Sequence, residues 1–340
     1  TVKQFGLEWP KQSGERERLM VIYRDYDKLL AHGLEGIERY EAMLKLMKIF
    51  FPWAEQHKWL VDMVKAWCGG NEEVICAGSS ASGKSFTAAL IAMVEYLVAP
   101  TETVVFLTTT SRQAARRRIF STIERAFYDI QRRFGHCGDL VASQMLIRTS
   151  KEDTKHGISV LSSEQGDVSK SLGRLIGTHA KRIVIVVDEA PDTSPQLLEA
   201  TVNLRAGTEF FKILMLGNPS SILDPMGLRA EPVVGWDQVD MDAATWETKR
   251  GGIVLRFDAL NGPNSESTKY PFLTTLKDIG RIRETDGEGS PYWYRFVRGM
   301  WLLGDVENRI FSEGLFIKHD KKTVVFVDDS VQLAGVDLSF

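Results

Sequence analysis

Gly78-Ser79-Ser80-Ala81-Ser82-Gly83-Lys84-Ser85 follows the pattern G-x4-G-K-[ST], and its flanks decide what that pattern means. Before it runs Glu73–Ala77 (EVICA), an apolar and largely β-branched stretch. After it comes FTAALIAMVEYL, rich in helix formers. Strand, small-residue loop and helix in that order make a phosphate cradle. Small side chains let successive backbone N–H groups turn inward around a phosphate, and the helix adds the positive end of its dipole. In such a loop Gly78, Ser79, Ser80, Ala81, Ser82 and Gly83 line the cradle. Lys84 reaches the β- and γ-phosphates, and the Ser85 hydroxyl takes Mg2+. ATP and Mg2+ are the expected cofactors.

Five more short apolar runs share that texture: Val104–Thr108, Ile158–Leu161, Ile183–Val187, Ile213–Leu216 and Ile253–Phe257. Helix-length patterns such as Phe86–Val98 and Gln113–Phe134 lie between several of them. Continuous apolar strands alternating with helices predict an α/β fold with a mainly parallel sheet covered on both faces. Ahead of it, Glu15–Phe50 repeats apolar residues at three- and four-residue steps, interrupted at Gly33 and Gly36, and a third helical pattern reaches Trp67. Beyond Gly262-Pro263-Asn264 the strands stop, and Tyr270–Trp301 reads as a small helical unit. Composition agrees with a globular chain: 44% hydrophobic and 26% charged residues exclude disorder. A net charge of −3 points to neither a nucleic-acid nor a membrane partner for the chain as a whole, so any basic surface is local. Three cysteines without a CxxC pair fit a reducing compartment. No apolar run approaches the roughly 18 residues that span a bilayer, and no signal peptide opens the chain. The expectation is a soluble cytoplasmic protein with no membrane partner.

Ile183–Val187 runs straight into Asp188-Glu189. A buried strand that delivers two carboxylates at its C-terminal end suits a nucleotide site at the edge of a parallel sheet. There Asp188 holds Mg2+ through a water and Glu189 polarises the water that attacks the γ-phosphate. A glutamate beside the metal aspartate points to a hydrolase. The next strand ends Leu216-Gly217-Asn218-Pro219, which places Asn218 where it can touch the γ-phosphate, although Asn before Pro also starts turns. Gln56 has two readings: its amide can pair with an adenine edge beside Trp53, or it is an exposed residue at a helix start. Between Ser111 and Arg133 seven arginines (112, 116, 117, 118, 125, 132 and 133) face two acids. That run is either a solvated helix face or a set of phosphate-backbone or trans-acting arginines. The six histidines have no partners at metal-ligand spacing.

Taken in order, several of these segments resemble the large terminase subunit of tailed bacteriophages, the ATPase that packages DNA into proheads. They are the phosphate loop, Thr108-Thr109-Thr110-Ser111-Arg112-Gln113, Val187-Asp188-Glu189-Ala190 and Leu216-Gly217-Asn218-Pro219. Ser290-Pro291-Tyr292-Trp293-Tyr294-Arg295-Phe296-Val297-Arg298-Gly299-Met300-Trp301 is similar to the family's segment between motor and nuclease. Ala334-Gly335-Val336-Asp337 is similar to the first strand of its RNase H-like nuclease. The resemblance covers roughly residues 50 to 340.

It implies a P-loop NTPase of the additional-strand, catalytic-glutamate type, with an N-terminal helical region and a small helical lid. The implied domains are 1–70 helical with an adenine-binding segment, 71–262 the ATPase core, 263–312 a lid and linker unit, and 313–340 a linker and opening nuclease strand. It also implies double-stranded DNA, a portal protein and a small terminase subunit as partners, and a homo-oligomeric ring on the prohead, pentameric in the family, in the host cytoplasm. A neighbouring subunit is expected to supply an arginine, either Arg174 in Ser171-Leu172-Gly173-Arg174-Leu175-Ile176-Gly177 or Arg112. The family's Arg-Gly dipeptide is absent, since Ile176 precedes Gly177. Asp337 is the one expected nuclease ligand. Such nucleases use two divalent metals, Mg2+ or Mn2+, held by carboxylates from several strands. Only three residues follow Asp337, so the expectation is that this chain cuts no DNA although its parent does. Other classes remain: a helicase-like nucleic-acid ATPase, or a non-catalytic assembly module that carries ATP as a structural ligand.

Overall fold

In the computed structural model, the described residues are 37–162, 173 and 178–303. The chain divides into two units, residues 1–302 and 303–340. Residues 1–36, Arg174 and Asp337 lie outside the described residues.

The apolar runs become the strands of one nine-stranded sheet. In chain order these are β1 (Glu73–Gly78), β2 (Thr103–Thr109), β3 (Asp139–Val141), β4 (Leu146–Arg148), β5 (Gly157–Ser162), β6 (Arg182–Val187), β7 (Phe210–Gly217), β8 (Thr245–Glu247) and β9 (Ile253–Phe257). They lie side by side in the order β3-β4-β5-β2-β6-β7-β1-β9-β8. The six strands from β5 to β9 are parallel. Every residue of β2 and β6 is buried, which is why both read as unbroken apolar runs rather than alternating ones. β3, β4 and β8 extend the edges antiparallel, three residues each, too short for any periodicity to announce them.

The order of the central strands places the chemistry. β7 lies between β6 and β1, so the strand carrying the phosphate loop and the strand carrying the two carboxylates are separated by one additional strand. Register then aligns their ends: Val187 sits opposite Met215, and Gly217 opposite Ala77. Gly78, Asp188 and Asn218 therefore emerge together at the C-terminal edge of the sheet, where ligands bind in open α/β folds.

Helices α1 (Ile37–Phe50), α2 (Lys58–Cys68) and α3 (Lys84–Val98) cover one face. Almost all of α3 is buried, including Glu95. That carboxylate is held by Arg39 at 3.0 Å, by Arg182 at the start of β6, and by the Trp67 indole N–H at 2.7 Å. One acid thus joins three helices to the carboxylate strand. Deleting Glu95 would leave two buried arginines without this shared carboxylate, at a cost of about 3–5 kcal/mol.

The helix expected over Gln113–Phe134 is α4 (Arg112–Ala115), a π turn over Arg116–Phe120, and α5 (Ser121–Phe134). Ser111 starts it by accepting the Ala114 N–H at 3.0 Å. Two short helices, α6 (Pro195–Asn203) and α7 (Pro225–Ala230), follow β6 and β7. After β9 comes α8 (Leu276–Thr285), opened by a Thr275–Asp278 capping box, then Pro291–Trp293 and a second π turn over Tyr294–Arg298. Ala259, Ile279, Trp293 and Val297 form a small core of their own. No helix among the described residues is long and apolar enough to cross a membrane.

Candidate functional site

The phosphate loop turns through two left-handed residues, Ala81 at φ +46° and Gly83 at φ +76°. Gly83 is favoured by its φ, and a Cβ there would meet Leu273 at 3.3 Å and the His57 ring at 3.4 Å. Burial holds His57 neutral, with its pKa lowered to about 4, and its Nδ1 caps α2 by accepting the Leu60 N–H at 3.3 Å. Lys84 is buried, and its ammonium donates to Gly78 O at 3.2 Å, Ser79 O at 2.8 Å and Ser82 Oγ at 2.8 Å. Loss of hydration lowers its pKa to about 8, against the opposing pull of the Asp188 charge.

Ser85 and Asp188 are 103 residues apart in the chain and meet at 2.8 Å, the hydroxyl donating to Asp188 Oδ1. Asp188 is buried, and desolvation raises its pKa, with the Ser85 hydrogen bond acting the other way. Glu189 follows in left-handed backbone, φ 57° and ψ 45°. For a residue with a long side chain this costs on the order of 1–3 kcal/mol and marks a position fixed by its surroundings. Its Oε2 accepts from the Thr110 hydroxyl at 2.7 Å, and its Oε1 is paired with Arg118. Asn218 donates its amide N–H to Gly78 O at 2.6 Å. Lys84, Ser85, Asp188, Glu189 and Asn218 thus line one cleft of about 490 Å³.

Other residues singled out in the sequence lie elsewhere. Gln56 is exposed and donates to Leu44 O at 2.8 Å, outside the lining of this cleft. Trp53 packs on Phe86, and the Arg125 guanidinium sits 4.0 Å over its ring. Arg112 bonds Gln144 O at 3.3 Å and lines a separate depression with Lys155 and His156. Most of the arginine run is spent inside the chain: Arg116 on Ala142 O, Arg118 on Glu189, Arg132 on Asp129, and Arg133 on Ile49 O and Phe50 O.

Four participants were not expected at the site. Thr110 and Arg118 hold Glu189, and Arg295 and Phe296 join the cleft wall. The segment around Phe296 is pressed against the loop: Ser80 N–H donates to Phe296 O at 3.1 Å, and a Cβ on Gly299 would fall 2.6 Å from Gly78 Cα. Thr274 closes the other edge, its N–H donating to Ala81 O at 3.1 Å and its hydroxyl to Ser80 O. Thr110, Arg295 and Phe296 fall in segments that carry the family resemblance and Arg118 in the arginine run, but no residue-level mark singled any of them out.

The donor set fits Mg2+. A serine hydroxyl and a carboxylate already within hydrogen-bond distance are hard oxygen ligands, and this ion takes one or two protein oxygens and completes its shell with phosphate and water. Among the described residues no cluster of three or more His, Cys, Asp or Glu could hold a metal unaided.

The sequence matches no protein-family model and no curated protein. Solved structures match its fold. The HK97 bacteriophage large terminase superposes with a TM-score of 0.52 at 15% identity, over 78% of this chain and 56% of that one. The Thermus phage P74-26 large terminase ATPase domain gives 0.51 at 10% identity, over 76% of this chain and 98% of that domain. A large terminase from a thermophilic bacteriophage, in complex with ADP, gives 0.50 at 15% identity, over 73% and 54%. The chain spans about half the length of the longer terminases and matches nearly all of the isolated ATPase domain. Its fold is that of phage large terminase ATPase domains, an α/β P-loop NTPase fold built on a mostly parallel sheet flanked by helices.

Proposed function

We propose that this chain is the ATP-hydrolysing motor portion of a viral large terminase, which drives double-stranded DNA into a prohead. The observation that carries the reading is the meeting of Ser85 with Asp188, beside Lys84 and Glu189, at the end of strands separated by β7. In this reading the loop from Gly78 to Gly83 and Lys84 bind the phosphates. Ser85 and Asp188 hold Mg2+, which offsets phosphate charge when bound. Glu189 takes the proton of the attacking water, and Asn218 links the γ-phosphate to the loop through Gly78 O. Gln56 reads adenine. Its neighbour His57 packs on Gly83, which keeps residue 56 close to the start of α3. The partners are a portal, a small terminase subunit, DNA and copies of the same chain in a ring of five. The parent protein cuts DNA with a two-metal nuclease that begins near Asp337.

Turnover measured with and without double-stranded DNA and portal-bearing empty proheads tests the reading. The expected result is stimulation by DNA and proheads together. Separation of a forked duplex would instead favour a helicase, and slow turnover under every condition a structural nucleotide.

The Lys84 ammonium gives a further expectation. A phosphate favours the charged amine, which in the free protein loses its proton as pH rises through about 8. Affinity for ATP should be flat below that pH and fall by up to about tenfold per pH unit above it. Titration with a fluorescent ATP analogue from pH 7 to 10 reads this directly. A flat profile to pH 10 would show that no ammonium titrating near 8 in the free protein contacts the phosphates.

A further inference from the structure

We propose that Arg295 is a phosphate ligand supplied by the chain's own C-terminal segment, one that distinguishes ATP from ADP. The inference rests on the nucleotide reading of the cleft. Arg295 lines that cleft with Lys84, Asp188, Glu189 and Asn218. Its Nε is shut off from solvent with no hydrogen-bond partner, and among the described residues no carboxylate pairs with its guanidinium. The neighbouring arginines are committed: Arg118 to Glu189, and Arg298 to Asp258 at 2.8 Å and to Asp242. A partly buried guanidinium without an anion is costly, and the anion the cleft is built to take is a phosphate.

The backbone around Arg295 is fixed against the phosphate loop rather than free to swing. Phe296 O accepts the Ser80 N–H at 3.1 Å, and Gly299, at φ +58°, lets the chain pass within contact of Gly78. Tyr292 and Phe296 pack with ring centroids 4.4 Å apart, and the Arg298–Asp258 pair ties the same π turn to the end of β9. A planar donor held this way suits a terminal phosphate, which offers three oxygens to a bidentate fork. ATP supplies that phosphate beside Glu189 and Asn218, and ADP does not. Loss of the γ-phosphate would then remove the one anion that satisfies Arg295, so the two nucleotides differ in what they offer this side chain.

The test is equilibrium binding of a non-hydrolysable ATP analogue and of ADP to the wild-type chain, Arg295→Gln and Arg295→Lys. Arg295→Gln should weaken the analogue roughly ten- to a hundredfold and ADP less than about threefold, the loss of one charged hydrogen-bonding contact. Arg295→Lys, which keeps a cation, should recover part of that loss and guards against a glutamine variant that folds poorly. Equal weakening of both nucleotides, or of neither, overturns the proposal. A wild-type chain that binds neither nucleotide overturns the nucleotide reading itself. One that binds both, with an unchanged ratio in Arg295→Gln, overturns Arg295 alone.

Discussion

Glu189→Gln should bind ATP and fail to turn it over, whereas Lys84→Ala should lose the binding itself. The two substitutions act at different ends of one cleft. The amide keeps the length of the glutamate and can still accept from the Thr110 hydroxyl, now 2.7 Å from Oε2. It cannot take a proton, and it gives up the ionic part of the contact with Arg118. A positioned general base contributes about 10²–10⁴-fold, so kcat should fall by that factor while the dissociation constant for ATP moves little. Glutamine also bears the left-handed backbone of position 189 no worse than glutamate, so stability should hardly change. Lys84 removes something else: a buried cation bonded to three oxygens of its own loop. Its loss removes a donor from each of those oxygens, although Asn218 still donates to Gly78 O and Ser82 to Ser79 O, and it leaves the phosphates without this cation. Single-turnover kinetics combined with equilibrium binding separates the two effects. Normal hydrolysis by Glu189→Gln would take the base role away from this residue.

The cradle and the strand frame were legible because they are written in local chemistry. Eight small or cationic residues between a strand and a helix admit few other folds, and β2 and β6 announced themselves by the unbroken apolar runs Val104–Leu107 and Ile183–Val187. Asp188 and Asn218 were legible because strand order, once assumed, brings strand tips together, and the register of β6, β7 and β1 does so. The remaining participants are visible only in three dimensions. Arg118 is one of seven arginines with no mark to separate it from Arg116 or Arg117. What selects it is the π turn over residues 116–120 at the foot of the helix. Arg295 and Phe296 sit in a segment that reads as a connection between domains. Their place in the cleft wall follows from a close backbone approach that needs glycine at 299, where a Cβ would fall 2.6 Å from Gly78 Cα. Gln56 is exposed and donates to Leu44 O, and its amide oxygen and second N–H keep hydrogen-bonding capacity for a base edge.

Isolated subunits should hydrolyse ATP slowly, because the reading assigns one arginine of the site to a neighbouring copy. A trans-acting arginine is worth about 10³–10⁵ in rate in other P-loop enzymes. Arg174 is the residue proposed here, and it lies outside the described residues. Arg112, its rival, bonds Gln144 O and does not line the cleft of its own chain, which is compatible with service to another subunit. Mixing variants in the assembled ring separates them. Arg174→Ala subunits lack the donor but keep Glu189, and Glu189→Gln subunits lack the base but keep the arginine. Where the two alternate, some interfaces pair an intact glutamate with an intact neighbouring arginine, and activity returns although each variant alone is dead. Arg118 supplies the internal control. It pairs with the glutamate of its own chain, so Arg118→Ala mixed with Glu189→Gln leaves every site with one defect and should restore nothing. Restoration by Arg112→Ala but not by Arg174→Ala would transfer the role to Arg112. Restoration by Arg118→Ala would show that its contact with Glu189 gives way to one across the subunit interface.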